Sequence, residues 1–203
     1  MTPDHSNVSV RTLRRGSIAA SRVSGTPTTY TLFPTVNGRA YSASINGTGL
    51  GADADYLSVG RSTYYFETFL AFDTSTVLGT ITSATLSLYG SYDSSPTDFT
   101  VEARAYDFGA TITTADYLPG TSLAALTLLA SRSTAGFTTS GYNAFTSEAA
   151  FLSNINQAGT TRLIINSSLH RLGDTTDNRI VEFFTIAEAG TTKDPKLVIE
   201  SLV

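Results

Sequence analysis

Hydrophobic and polar residues along this chain alternate with the period of strands over most of its length. Residues 81–90 put Ala84, Leu86 and Leu88 on one face and Thr85, Ser87 and Tyr89 on the other. Residues 99–106 repeat the pattern, with Phe99, Val101, Ala103 and Ala105 opposite Thr100, Glu102, Arg104 and Tyr106. A period of two marks a half-buried strand. Residues 64–73 are aromatic-rich and apolar on both faces, which predicts a strand covered on both sides. Further strands are expected at 161–167, 179–187 and 196–202, separated by turn clusters such as 93–96 and 173–177. One helix is predicted at 147–157, with Thr146 or Ser147 as cap and Ala149, Ala150, Phe151, Leu152 and Ile155 facing inward. A shorter helical turn is expected after Thr113 or Thr114. Eight or so short strands with turns every 8 to 12 residues describe an all-β sandwich or barrel.

Composition agrees with this class and narrows the chemistry. The 203 residues include 33 Thr and 24 Ser but no Cys, no Trp and one Met. Without Cys there are no disulfides, no thiol catalysis and no thiolate metal site. The start of the chain has no apolar run of a secretory leader, and no stretch of 18 apolar residues predicts a membrane span. The triplets at Asn7, Asn46 and Asn166 are expected chance matches to a glycosylation signal in so hydroxyl-rich a sequence.

Charge divides the chain in two. Residues 1–25 carry Arg11, Arg14, Arg15 and Arg22 against Asp4 alone, a net +3, so a chain of net −4 leaves −7 on the remainder. The first 29 residues lack sustained periodicity and are expected to form an extended basic arm. Residues 30–203 are expected to form a single sandwich domain. Arginine pairs bidentately with carboxylates, so the arm suits the acidic body of a neighbouring subunit. The same acidic body disfavours nucleic acid as a partner.

The order of segments resembles the DNRLRE-type β-sandwich family. Leu57-Ser-Val-Gly-Arg61, Phe69-Leu-Ala-Phe-Asp73 and Ile81-Thr-Ser-Ala-Thr-Leu-Ser-Leu-Tyr89 stand where that family has "LxVG", "RFD" and "I.SATLxLY". Val181-Glu-Phe-Phe and Pro195-Lys-Leu-Val-Ile199 match its closing strands. Glu67 and Thr68 stand in place of the family's arginine, and Tyr117, Phe137 or Tyr142 in place of its tryptophans. The resemblance implies a jelly-roll-like antiparallel sandwich, similar to carbohydrate-binding modules of bacterial surface and polysaccharide-active proteins.

Candidate chemistry is sparse. Ser168, His170 and Asp174 are close in sequence, but on a strand alternate side chains diverge, so no triad is assigned. Glu67 with Asp73, and Glu182 with Glu188, have no spacing that marks a glycosidase pair. No catalytic residue is assigned, and no cofactor. Asp53 and Asp55 are candidate ligands for a structural calcium, which takes oxygen donors from such loops. Tyr89, Tyr92 and Tyr106, near Arg104, are candidates for a glycan-binding surface. The expected function is a non-enzymatic structural protein of a larger assembly, a bacteriophage virion component that docks through its arm. A carbohydrate-binding module or adhesin, extracellular or on a bacterial surface, is the alternative.

Overall fold

A computed structural model describes residues 25–43, 47–51, 56–176, 178–186, 190 and 192–203. The chain is all-β, built on a curled antiparallel sheet that closes about half a barrel. The first strands are β1 (Pro27–Leu32), β2 (Pro34–Ala43), β3 (Gly47–Gly51), β4 (Tyr56–Arg61) and β5 (Tyr64–Asp73). The middle of the chain gives β6 (Thr80–Ser94), β7 (Thr100–Ala105), β8 (Leu128–Ser133), β9 (Tyr142–Ala144) and β10 (Thr146–Ser147). The last are β11 (Thr160–Ser167), β12 (Arg179–Phe184) and β13 (Lys196–Leu202). Strand β1 begins three residues before the expected domain start.

The strands fall into two groups. One runs β1–β13–β6–β12–β4, and the other runs from β5 through β11, β7 and β8 to β10, with β2 and β3 beside β5. Two residue pairs at the β4–β5 corner, Gly60 with Phe66 and Arg61 with Tyr65, join them. The main core fills the curl between the groups. It draws Leu57 and Val59 from β4, Leu86 and Leu88 from β6, and Val181 and Phe183 from β12. From the other side come Leu70 and Phe72 of β5 and Leu163 and Ile165 of β11.

The doubly apolar pattern of residues 64–73 has its cause in a second core. The other face of β5 and β11, with Phe69, Ala71 and Ile164, is covered by the segment that crosses from β7 to β8. This crossover contributes Phe108, Ile112, Leu118 and Leu123, and contains a 3-10 turn (Thr114–Asp116) and a short helix α1 (Gly120–Ala125). In the turn, the Thr113 N–H and hydroxyl both donate to Asp116 Oδ2, at 2.7 and 2.9 Å.

The predicted helix at 147–157 is shorter than expected: α2 spans Ala149–Ser153. Its expected caps are used elsewhere, because Thr146 and Ser147 pair with β8 as β10. Phe151 and Ile155 still enter the main core. A third helix, α3 (Ser168–Leu172), follows β11 directly. It starts where the Ser167 hydroxyl accepts from the His170 N–H at 3.2 Å, and ends at Gly173 with φ of +69°. A left-handed residue after the last turn is a common helix stop that glycine adopts without strain. Ser168 and His170 therefore lie on a helix, and the strand geometry expected for them does not hold.

Candidate functional site

The outer face of β6, β12 and β4 carries a row of aromatic rings. On β12 burial alternates, so Val181 and Phe183 point into the core while Glu182 and Phe184 point outward. Register then sets the neighbours: Tyr56 of β4 lies opposite Phe184, and Tyr142 of β9 opposite Tyr89 of β6. The rings run Tyr142, Tyr89, Phe184, Tyr56, with successive centroids 5.2, 5.8 and 5.4 Å apart. Interplanar angles of 77°, 66° and 54° make this an edge-to-face ladder and not a flat shelf. Two cations lie against it, Lys196 Nζ 3.7 Å from the Tyr142 centroid and Lys193 Nζ 4.2 Å from that of Phe184. The Tyr89 hydroxyl donates to the Ser140 carbonyl at 2.7 Å, and that of Tyr142 to the Asp194 carbonyl at 3.0 Å. Burial, with Asp194 nearby, raises the pKa of Tyr142.

A polar row runs beside the ladder. A β-bulge shifts the β6–β12 register between Glu182 and Phe183, so Tyr92 lies opposite Glu182. A bulge inserts one extra residue, which lets Tyr89 and Tyr92 share a face although they are three positions apart. Ser58 lies opposite Glu182 on the other side and donates to its Oε1 at 3.0 Å. Arg39 of β2 reaches over to donate from Nη1 to Ser58 Oγ at 2.5 Å. At the rim, Tyr92 is 50% and Tyr56 40% exposed. The face thus offers aromatic edges and two lysines, with Arg39 and Glu182 linked beside them through the fully buried Ser58.

The second concentration of chemistry is buried beneath α3. Glu67 on β5 is fully buried, and its Oε1 lies 3.2 Å from His170 Nδ1 in an off-line contact, while its Oε2 accepts from Leu118 N–H at 3.0 Å. His170 Nε2 is 2.9 Å from the Tyr117 hydroxyl. The imidazole is stacked between Tyr65 and Tyr117, with centroids at 4.5 and 5.2 Å. Burial raises the pKa of Glu67, against the opposing pull of His170 and the Leu118 N–H.

One residue along α3, Arg171 binds Glu102 of β7 through both Nε and Nη2, at 2.9 to 3.0 Å. Arg104 donates to the same carboxylate from Nε and Nη2, and from Nη1 to the Leu126 carbonyl at 2.7 Å. Burial pushes the Glu102 carboxyl up, but the bonds from Arg171 and Arg104 outweigh it and hold it below the usual value. The acid, imidazole and phenol that could do proton chemistry are engaged in tying α3 and the crossover to the sheet. His170 is 5% exposed, and two shallow depressions of about 270 and 320 Å³ are lined by none of Glu67, His170 and Tyr117.

Of the residues expected at a glycan surface, Tyr89 and Tyr92 lie together on the aromatic face. Arg104 and Tyr106 do not join them. Arg104 is 7% exposed, and Tyr106 packs on Phe69 and donates to Asp116 Oδ1 at 3.2 Å. Their row on β7 alternates outward as the sequence indicates, but the crossover and α3 cover it. Arg11, Arg14, Arg15 and Arg22 lie outside the described residues, as do Asp53 and Asp55. Among the described residues no three His, Asp or Glu side chains are grouped to hold a metal, and no helix is long and apolar enough to cross a membrane. Asn166 is fully buried, which suits a chance glycosylation match. Sequence reasoning missed Tyr56, Tyr142 and Phe184. The alternation from Val181 to Phe184 carried a signal for Phe184, whereas the three-residue β9 carried none for Tyr142.

No protein-family profile matches the chain, and no curated protein matches it.

Proposed function

We propose that this protein is a non-enzymatic structural component of a larger assembly, docking through its basic N-terminal arm. A bacteriophage virion protein of the capsid decoration, neck or tail type is the instance that fits best. The observation that carries this reading is the charge division, +3 on residues 1–25 against −7 on the remainder. The engagement of Glu67, His170 and Tyr117 in fastening α3 supports a scaffold over a catalyst. The finer architecture we infer is a jelly-roll-like sandwich, because among the described residues two pairs join the strand groups and one core lies between them. Removing residues 1–25 tests the reading. The truncated chain is expected to remain folded but to lose assembly, measured by analytical ultracentrifugation; assembly with unchanged stoichiometry sinks the arm hypothesis.

The aromatic face favours a second reading, a carbohydrate-binding module or adhesin, which the resemblance to the DNRLRE-type family also implies. Sugar rings present C–H faces to aromatics and hydroxyls to groups such as Glu182 and Arg39. Tyr56 and Tyr92 are the exposed members, so replacing both with alanine is expected to abolish retardation in polysaccharide affinity gels without unfolding the core. Unchanged retardation removes this face as the site.

A further inference from the structure

Among the described residues the first strand of the sheet is paired on one side. Among the described residues β1 pairs only with β13, in unbroken register from Pro27 with Leu202 to Leu32 with Leu197. Thr26 and Val203 exchange both backbone hydrogen bonds, at 2.8 and 3.1 Å. Bonded and non-bonded pairs alternate in an antiparallel ladder, so Thr28, Tyr30 and Leu32 turn their peptide groups toward β13. Thr29 and Thr31 then direct N–H and C=O away from the sheet. Exposed edges are normally blunted by lysine, internal proline, a bulge or inward charge. Strand β1 has none of these after Pro27. Its side chains alternate, with Tyr30 and Leu32 packed on the core and Thr29 and Thr31 exposed.

The arm leaves the body beside this edge, at Gly25. Twenty-four residues precede it, enough to extend up to about 80 Å, whereas a body of this length is roughly 40 Å across. The arm can therefore reach well beyond its own body. One short run in it has strand alternation: Val8, Val10 and Thr12 on one side, Ser9 and Arg11 on the other. Laid on β1, this run continues the inward row of Tyr30 and Leu32 with its valines. Arg11 then falls on the outward row, where Glu200 lies opposite Thr29 one strand further in.

We propose that the outer edge of β1 is a docking strip for residues 8–12 of a second copy of this chain, added as an extra antiparallel or parallel strand. The inference rests on the assembly reading and specifies how the arm is received. Backbone bonds supply affinity in strand addition and alternate side chains supply specificity.

The test uses the full chain, whose lack of cysteine allows clean cross-linking. A Ser9→Cys chain mixed with a Thr29→Cys chain is expected to give a mixed disulfide dimer under mild oxidation, by mass spectrometry, at least tenfold above Ser9→Cys with Thr139→Cys. Adding Thr31→Pro to the Thr29→Cys chain is expected to abolish that dimer. It removes an outward N–H and leaves the β13 ladder whole, so thermal unfolding should stay close to that of the parent chain. A mixed dimer no more abundant than the control overturns the proposal. So does a Ser9→Cys/Thr29→Cys double variant that closes within one chain, or Thr29→Cys chains that pair mainly with each other. If arm removal abolishes assembly while Thr31→Pro leaves assembly and cross-link intact, the edge is wrong and the arm reading stands. If arm removal changes nothing, both fall.

Discussion

Glu67 shows how one residue can fasten a fold at a cost. Its carboxylate accepts from the Leu118 N–H and faces His170 Nδ1, so Glu67→Ala leaves that N–H without its acceptor and Nδ1 without its facing carboxylate. Orphaned buried polar groups cost about 1–3 kcal/mol each, and the variant should lose stability in urea unfolding accordingly. Glu67→Gln keeps an acceptor for Leu118 and should lose less. The two states of the acid separate with pH. Burial raises the Glu67 pKa above its ordinary 4.5, so its contribution is complete below that value and is lost as pH climbs through the raised one. Asp174 behaves in the opposite sense. Bonds from Thr176 N–H and hydroxyl, then Arg179, lower it from 3.8 to about 2, so its contribution holds above 3.8 and fades as pH falls toward 2. Glu102, also lowered, acts with Asp174. Urea unfolding from pH 4.5 to 8 should therefore show a decline in the parent chain that is flattened in Glu67→Gln.

The elements differ in how much of them the sequence pattern disclosed. Strands β5, β6, β11, β12 and β13 are long or strongly alternating, and each falls within a few residues of its expected place. Strands β3, β9 and β10 have five residues or fewer and exist because longer partners hold them, which no local period reports. Helix α3 is too short to display a helical period, although Ser167 before it and Gly173 after it are the residues its ends require. The burial of Arg104 was hidden for a different reason. Alternation states which way a side chain points, but not that the 22-residue crossover from β7 to β8 lies over that face. The closeness of α1 and α3 is the tightest consequence of this packing. A Cβ on Gly120 would stand 2.3 Å from the His170 carbonyl oxygen, inside the distance any real contact allows. Alanine favours a helix over glycine by up to about 1 kcal/mol, but forced overpacking costs about 1–3 kcal/mol, and the carbonyl belongs to a backbone that is pinned by Glu67 and Glu102. Gly120→Ala should thus lower the melting temperature in calorimetry despite its better propensity.

At the scale of the whole molecule, two surfaces of opposite character sit on one β body: an aromatic face on β6, β12 and β4, and an edge on β1 that is unpaired among the described residues. The expected loss of assembly on arm removal belongs to this scale, because the acidic excess of the body is spread over it and is not a feature of any one element. Exposed charges are screened over about 8 Å at physiological ionic strength, so an arm held by arginines alone would release in high salt, whereas a strand held by backbone bonds would persist. The pairing of Thr26 with Val203 has a mechanical consequence. Both ends of the described body emerge at one corner, so tension between the arm and the C-terminal end pulls at the open mouth of the β1–β13 ladder. Such a load peels the strands apart one pair at a time, like a zipper, instead of shearing all their bonds together. Peeling the six β1–β13 pairs frees six residues from each strand, about 40 Å of slack in all, so a load applied to these two ends is met first by extension at β1.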